Sequence, residues 1–190
     1  MNIGIQLNFL DFRNDIRKII KLLSIDNKVV LFVNDISTFQ NLDFESTNVE
    51  LREIREKKRS FYNRFINFLF LSFGKIPASK NNYYILERFL ISLEPSTIKR
   101  KFDYLKFDVF FYLPKFISYD YYLSLISYKS ETKIDDIDKF IIFTRVSNNY
   151  FLSRLLNENK NIKAYVYSWD HPAKHKEFSK KIDYFVWNNG

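Results

Sequence analysis

Three times in this chain an apolar residue and an Asp open a short apolar run. Phe107-Asp108 precedes VFFYLP, Ile137-Asp138 precedes KFIIFTR, and Ile182-Asp183 precedes YFVWN. Segments with helical spacing separate these runs, and the same alternation holds upstream. Residues 2–9 (NIGIQLNF) alternate as a strand. Residues 13–23 put Ile16, Ile19, Ile20 and Leu23 on one helix face. Residues 28–34 (KVVLFVN) form the unbroken apolar run of a strand covered on both sides. Strands alternating with helices must bury a sheet face and a helix stripe together, which argues for a parallel sheet with helical crossovers. The predicted fold is therefore an α/β three-layer Rossmann-like sandwich with a mainly parallel sheet.

Further strands are predicted at residues 49–54, 109–113, 140–144, 162–169 and 184–186, about seven in all. Helices are predicted at residues 58–73, 79–93, 96–105, 119–128 and 148–157. Gly74 and Pro77 break the first of these, Pro95 ends the second, and Ser96 caps the third. No linker, repeat or low-complexity stretch divides residues 1–190, so one domain is expected.

Composition narrows the class. Apolar residues make up 46% and charged residues 27%, a globular balance rather than a disordered one. The net charge of +8 favours an anionic partner: nucleic acid, an anionic membrane or a phosphorylated substrate. A lysine-rich solvated surface is the plainer alternative. With no Cys there is neither a disulfide framework nor a thiolate metal site, and His171 and His175 alone do not define a metal site. No metal or cofactor is expected. The N-terminus lacks the basic start of a signal peptide. The longest apolar run, residues 65–73, is interrupted by Asn67 and Ser72 and is far short of a membrane span. A cytoplasmic protein is expected, with peripheral contact to the inner face of the plasma membrane as an option.

In a parallel sheet all carboxyl ends share one edge, and ligands bind there near the point where strand order reverses. The residues expected on that edge are Asn8, Asn34-Asp35, Pro114-Lys115, Thr144-Arg145, Trp169-Asp170-His171 and Trp187-Asn188. The first strand-to-helix turn, NFLDFRND, has no glycine, so it lacks the fingerprint of dinucleotide and P-loop sites. Trp169 could lid the sheet edge or stack on a sugar ring. Asp170 could close a turn with His171-Pro172 or act as a base. A neutral His171 could accept a proton from an alcohol. Arg145 suits a phosphate or carboxylate, or simply the surface, and Lys174, His175 and Lys176 after the 169–172 loop add positive charge.

Residues 52–75 have a basic head and an aromatic tail. They could form a helix lying on an anionic bilayer, or an amphipathic helix packed on the sheet. No RRM, KH or helix-turn-helix signature accompanies them, so nucleic acid is not the expected partner.

Residues 165–190, YVYSWDHPAKHKEFSKKIDYFVWNNG, resemble a segment of bacterial GT-B glycosyltransferases of surface-polysaccharide assembly. The matching positions are Ser168, Trp169, Asp170 and His171 at one strand end, then Asp183, Val186, Trp187 and Asn188 along the next. Lipid-linked polyol-phosphate polymerases are similar in this region. The rest of the chain is similar only in topology, and His171-Pro172 departs from the Asn frequent in that family.

The resemblance implies two Rossmann-like halves, of which this chain would be the first, acceptor-binding one. It also implies that the chain is truncated before a second half that would hold a nucleotide sugar, and that alone it is inactive. Asp170 and His171 would be catalytic. Trp169, Arg145, Lys174, Asn8 and Asn188 would bind a glycan or lipid-linked acceptor. Two other readings stay open: a non-catalytic basic α/β module that binds nucleic acid or an anionic membrane, and a sugar-phosphate or polyol-phosphate transferase on the same fold.

Overall fold

The unbroken apolar run of residues 28–34 does become a strand buried on both sides: in Lys28–Val33 every residue after Lys28 is buried. The structure, a computed structural model, describes residues 1–7, 14–39, 48–55, 61–75, 113–126, 131–143, 149–166, 179 and 181–186. Among these residues the strands are β1 (Asn2–Leu7), β2 (Lys28–Val33), β3 (Val49–Glu53), β4 (Lys139–Phe143), β5 (Asn161–Val166) and β6 (Asp183–Val186). The helices are α1 (Asn14–Asp26), α2 (Phe61–Phe73), α3 (Tyr119–Leu125) and α4 (Asn149–Asn157), with a 3-10 turn at Ile36–Phe39.

All six strands are parallel, in the order β3-β2-β1-β4-β5-β6. The chain steps outward from β1 to β3, returns to the centre at β4, and steps outward the other way. The order reverses between β1 and β4, as in a doubly wound Rossmann-like sheet.

Alternation of side chains sorts the apolar residues into two cores. Ile3, Ile5, Leu7, Val29, Leu31, Val33 and Ile141 pack with Ile20 of α1 on one face. Val30, Phe32, Phe140, Ile142, Ile162 and Ala164 pack with α2, α3 and α4 on the other. Each fully buried aliphatic or Phe side chain contributes about 1.5–3 kcal/mol, so both layers hold the sheet. Gly4 belongs to the second face. A Cβ there would lie 2.7 Å from the Phe140 ring, which packs on Phe32 and Phe151.

Local signals set the element ends. The Ser118 hydroxyl caps α3 by accepting from the Tyr121 N–H at 3.2 Å. Asn159 takes a left-handed φ of 53° after α4. The N–H groups of Asn159 and Lys160 then return to the carbonyls of Leu156 and Leu155, the pattern of a Schellman cap. The chain is thereby turned into β5.

The two described apolar-Asp pairs, Ile137-Asp138 and Ile182-Asp183, lie at the amino edge of the sheet, while Phe107-Asp108 lies outside the described residues. Ile137 and Ile182 are buried in the second core. The Asp138 carboxylate accepts from the Asn2 N–H at 2.7 Å, and the Asp138 N–H donates to the Asn2 carbonyl. This fixes the start of β4 against the start of β1.

Residues 131–138, which lead into β4, are clamped. Arg52 on β3 donates two hydrogen bonds of 2.7 Å to Asp136, one to Glu50 and one to the Lys133 carbonyl. Thr132 Oγ1 accepts from the Arg55 N–H and donates to the Glu53 carbonyl, while Arg154 of α4 donates to the Thr132 carbonyl. Ile134 and Ile137 seal the segment below.

Of the predicted elements, the helices at 79–93 and 96–105 lie outside the described residues. So does the strand at 109–113 except for Leu113, which sits in a bend outside any strand. The other six strands and four helices are present, and where their expected ends fall on described residues they agree to within a few residues.

Candidate functional site

Because the strands are parallel, Leu7, Val33, Glu53, Phe143, Val166 and Val186 end on one edge. β1 and β4 are neighbours across the reversal, with Gln6 paired to Ile142. β5 and β6 are neighbours with Val166 paired to Val186. Asn8 follows Leu7 in sequence, Arg145 follows Phe143 by two residues, Trp169 follows Val166 by three, and Asn188 follows Val186 by two. Asn8, Arg145, Trp169, Asp170, His171, Lys174 and Asn188 themselves lie outside the described residues.

The described polar groups of the edge are few. Asp35, just after β2, accepts from both the hydroxyl and the N–H of Ser37 at 2.7 and 2.9 Å. The Ser37 hydroxyl, then its N–H, hold this carboxyl below the usual range. Asp35 thus closes a local turn into the 3-10 segment. Gln6, a residue the sequence reading passed over, is buried on central strand β1 one position from its carboxyl end. The signal available in the sequence was one polar residue among the apolar residues that follow Asn2 in NIGIQL.

Lys115, expected at the end of a strand whose residues 109–112 lie outside the described residues, donates from Nζ to the Ser72 carbonyl at 2.6 Å, in the last turn of α2. A cation there complements the negative end of the helix, and burial lowers its pKa. Lys115 thereby caps the carboxyl end of α2.

Two other polar groupings have structural causes. Arg52 holds the Glu50 and Asp136 carboxyls down to about 2 through its hydrogen bonds. Both also contact the arginine as ion pairs. Such networks perturb titration without being catalytic, and this one fastens the chain entering β4. Between α2, α3 and α4, the Tyr122 hydroxyl donates to Asn67 Oδ1 at 3.0 Å, and the Asn67 amide donates to the Tyr150 hydroxyl at 3.5 Å. All three residues are buried, and Phe70 stacks on Tyr122 with ring centroids 4.2 Å apart. Buried polar networks of this kind fix how helices seat.

On β6, burial pushes the Tyr184 hydroxyl up to about 12, and it accepts from the Ser179 N–H. Among the described residues no group of three His, Cys, Asp or Glu could hold a metal ion. No described helix is long and apolar enough to cross a membrane.

The fold is thus a doubly wound α/β sheet, the kind in which ligands generally bind at the carboxyl edge. No protein-family model, curated protein or solved structure matches this chain.

Proposed function

We propose that this chain is the acceptor-side domain of a GT-B glycosyltransferase, which transfers a sugar from a nucleotide-sugar donor to a cell-surface glycan or its lipid-linked precursor. The observation that carries the reading is the pairing of β5 with β6 through Val166 and Val186. The two resembling motifs, Ser168–His171 and Trp187-Asn188, continue the chain from adjacent strand ends on the ligand edge. Fold alone does not give function; the argument joins this adjacency to the residue types.

In this reading Asp170 or His171 takes the proton of the acceptor hydroxyl as its oxygen attacks the anomeric carbon. The bond from that carbon to the nucleotide breaks, and the nucleotide leaves with the electron pair. Trp169 stacks on the acceptor sugar, while Asn8 and Asn188 hydrogen-bond its hydroxyls. Arg145 and Lys174 offset the charge of a diphosphate linker. A second Rossmann-like half carries the donor. The work is cytoplasmic.

The test is calorimetric titration of this chain with a short-chain polyprenyl-diphosphate sugar. Binding is expected, weakened about tenfold in Trp169→Ala, in line with the loss of one stacking contact. In a chain carrying the second half, His171→Ala or Asp170→Asn should lower kcat by roughly 10²–10⁴-fold with little change in KM. If the acceptor does not bind while a polynucleotide binds with a steep salt dependence, the chain is a basic binding module and the proposal fails.

A further inference from the structure

Helix α2 carries apolar residues on opposite sides. Asn63, Ile66, Asn67 and Phe70 make its buried stripe, at the spacing of one helix face, and Leu71 and Ser72 are buried too, so only the earlier turns of α2 have an open side. Phe61, Arg64, Phe65 and Phe68 repeat that spacing half a turn away, and all four are exposed. The three phenylalanines keep 85%, 49% and 36% of their surface in water. The outward stripe of a helix packed on a sheet is ordinarily polar. Just past the end of α2, Phe116 packs on Phe73 with ring centroids 5.4 Å apart and stays 63% exposed.

The charges around this stripe identify what covers it. Residues 61–75 contain two cations, Arg64 and Lys75, both exposed, and no Asp or Glu. A second copy of the chain would bring Arg64 toward its own like charge, in a molecule whose net charge is already +8. An anionic surface with an apolar interior meets both demands at once. At 13 residues α2 is about 20 Å long, too short to span a bilayer, and the open side of its first turns can rest on the bilayer surface.

We infer that the outward face of the first turns of α2 is a docking surface for an anionic lipid bilayer, with Phe61 and Phe65 entering the acyl boundary and Arg64 at the phosphates. Interfacial helices bind through this combination of buried apolar area and headgroup attraction. The inference stands apart from the glycosyltransferase reading, since it uses no residue of the ligand edge.

The experiment is flotation of the whole chain with phosphatidylcholine vesicles, with and without about one third phosphatidylglycerol. Binding is expected only to the anionic vesicles and should fade as salt rises. Phe61→Ser/Phe65→Ser should weaken it at least about tenfold, and Arg64→Glu about fivefold. All these sites are exposed, so circular dichroism and the thermal midpoint should stay those of the parent. Leu22→Ser, at a 66% exposed position of α1 on the opposite face of the sheet, is the control and should bind normally. Equal loss in Leu22→Ser, or equal binding to neutral vesicles, would overturn the inference. So would absence of vesicle binding together with a concentration-dependent dimer that Phe65→Ser dissolves.

Discussion

At Gly4 one hydrogen in place of a methyl decides how two distant parts of the chain meet. The absent Cβ would stand 2.7 and 2.8 Å from two carbons of the Phe140 ring and 3.0 Å from Ile137. That ring has no exposed surface and packs on Phe32 and Phe151, so it has little freedom to withdraw. Gly4→Ala should therefore destabilise the fold by about 1–3 kcal/mol, the usual cost of overpacking a tight core. Urea denaturation measures it, and Phe140→Leu in the same background should recover part of the loss. An unchanged midpoint would mean that the core yields. The sequence shows only a glycine inside a strand pattern. The reason for it lies 136 residues away, because register pairs Gly4 with Phe140, and no local periodicity reports such a partner. The site candidates Trp169, Asp170 and His171 could be named for the opposite reason, as conspicuous residue types in a short motif, and they lie outside the described residues.

Among the elements, the edge strand β3 carries the device that fastens the segment entering β4. Arg52, only 13% exposed, grips Asp136 with two hydrogen bonds and Glu50 with a third. The apolar-Asp signal before β4 was readable in sequence, but the Arg52–Asp136 pair was not. Its members are 84 positions apart, and nothing local says that β3 faces the return segment. The clamp makes a pH prediction. Both carboxyls sit at about 2 in the fold, against ordinary values of 4.5 for Glu50 and 3.8 for Asp136. A depressed carboxyl stabilises the fold above its unfolded pKa and loses that contribution as pH falls through the folded one. Stability from this pair should thus be complete above about pH 4.5 and decline toward about pH 2. Asp136→Asn should cost about 2 kcal/mol near neutral pH, the range for hydrogen bonds to a charged group. It should also flatten the acid limb of a urea-midpoint-against-pH curve. An acid limb as steep as the parent's would assign the pH dependence to other carboxyls.

For the whole molecule, alternation of strand and helix was enough to expect a parallel sheet, because each element announces its period locally. Strand order is a different kind of information. It depends on which way each crossover turns, and apolar periodicity is indifferent to that. The order β3-β2-β1-β4-β5-β6 makes β4 and β5 neighbours, with Lys139 in register with Asn161, and puts β2 three strands from β5. Three strand spacings are about 14 Å, beyond the roughly 7 Å limit between Cα atoms for a disulfide. The chain has no Cys, so a pair can be introduced without competition. Lys139→Cys with Asn161→Cys should close a single intramolecular disulfide under mild oxidation. Lys28→Cys with Asn161→Cys should stay reduced or link separate molecules. Both pairs lie at the amino edge, away from the ligand edge, so the bridge reports order without entering the candidate site. Closure of the second pair and not the first would rearrange the sheet, and with it the adjacency of β5 and β6 on which the proposed function rests.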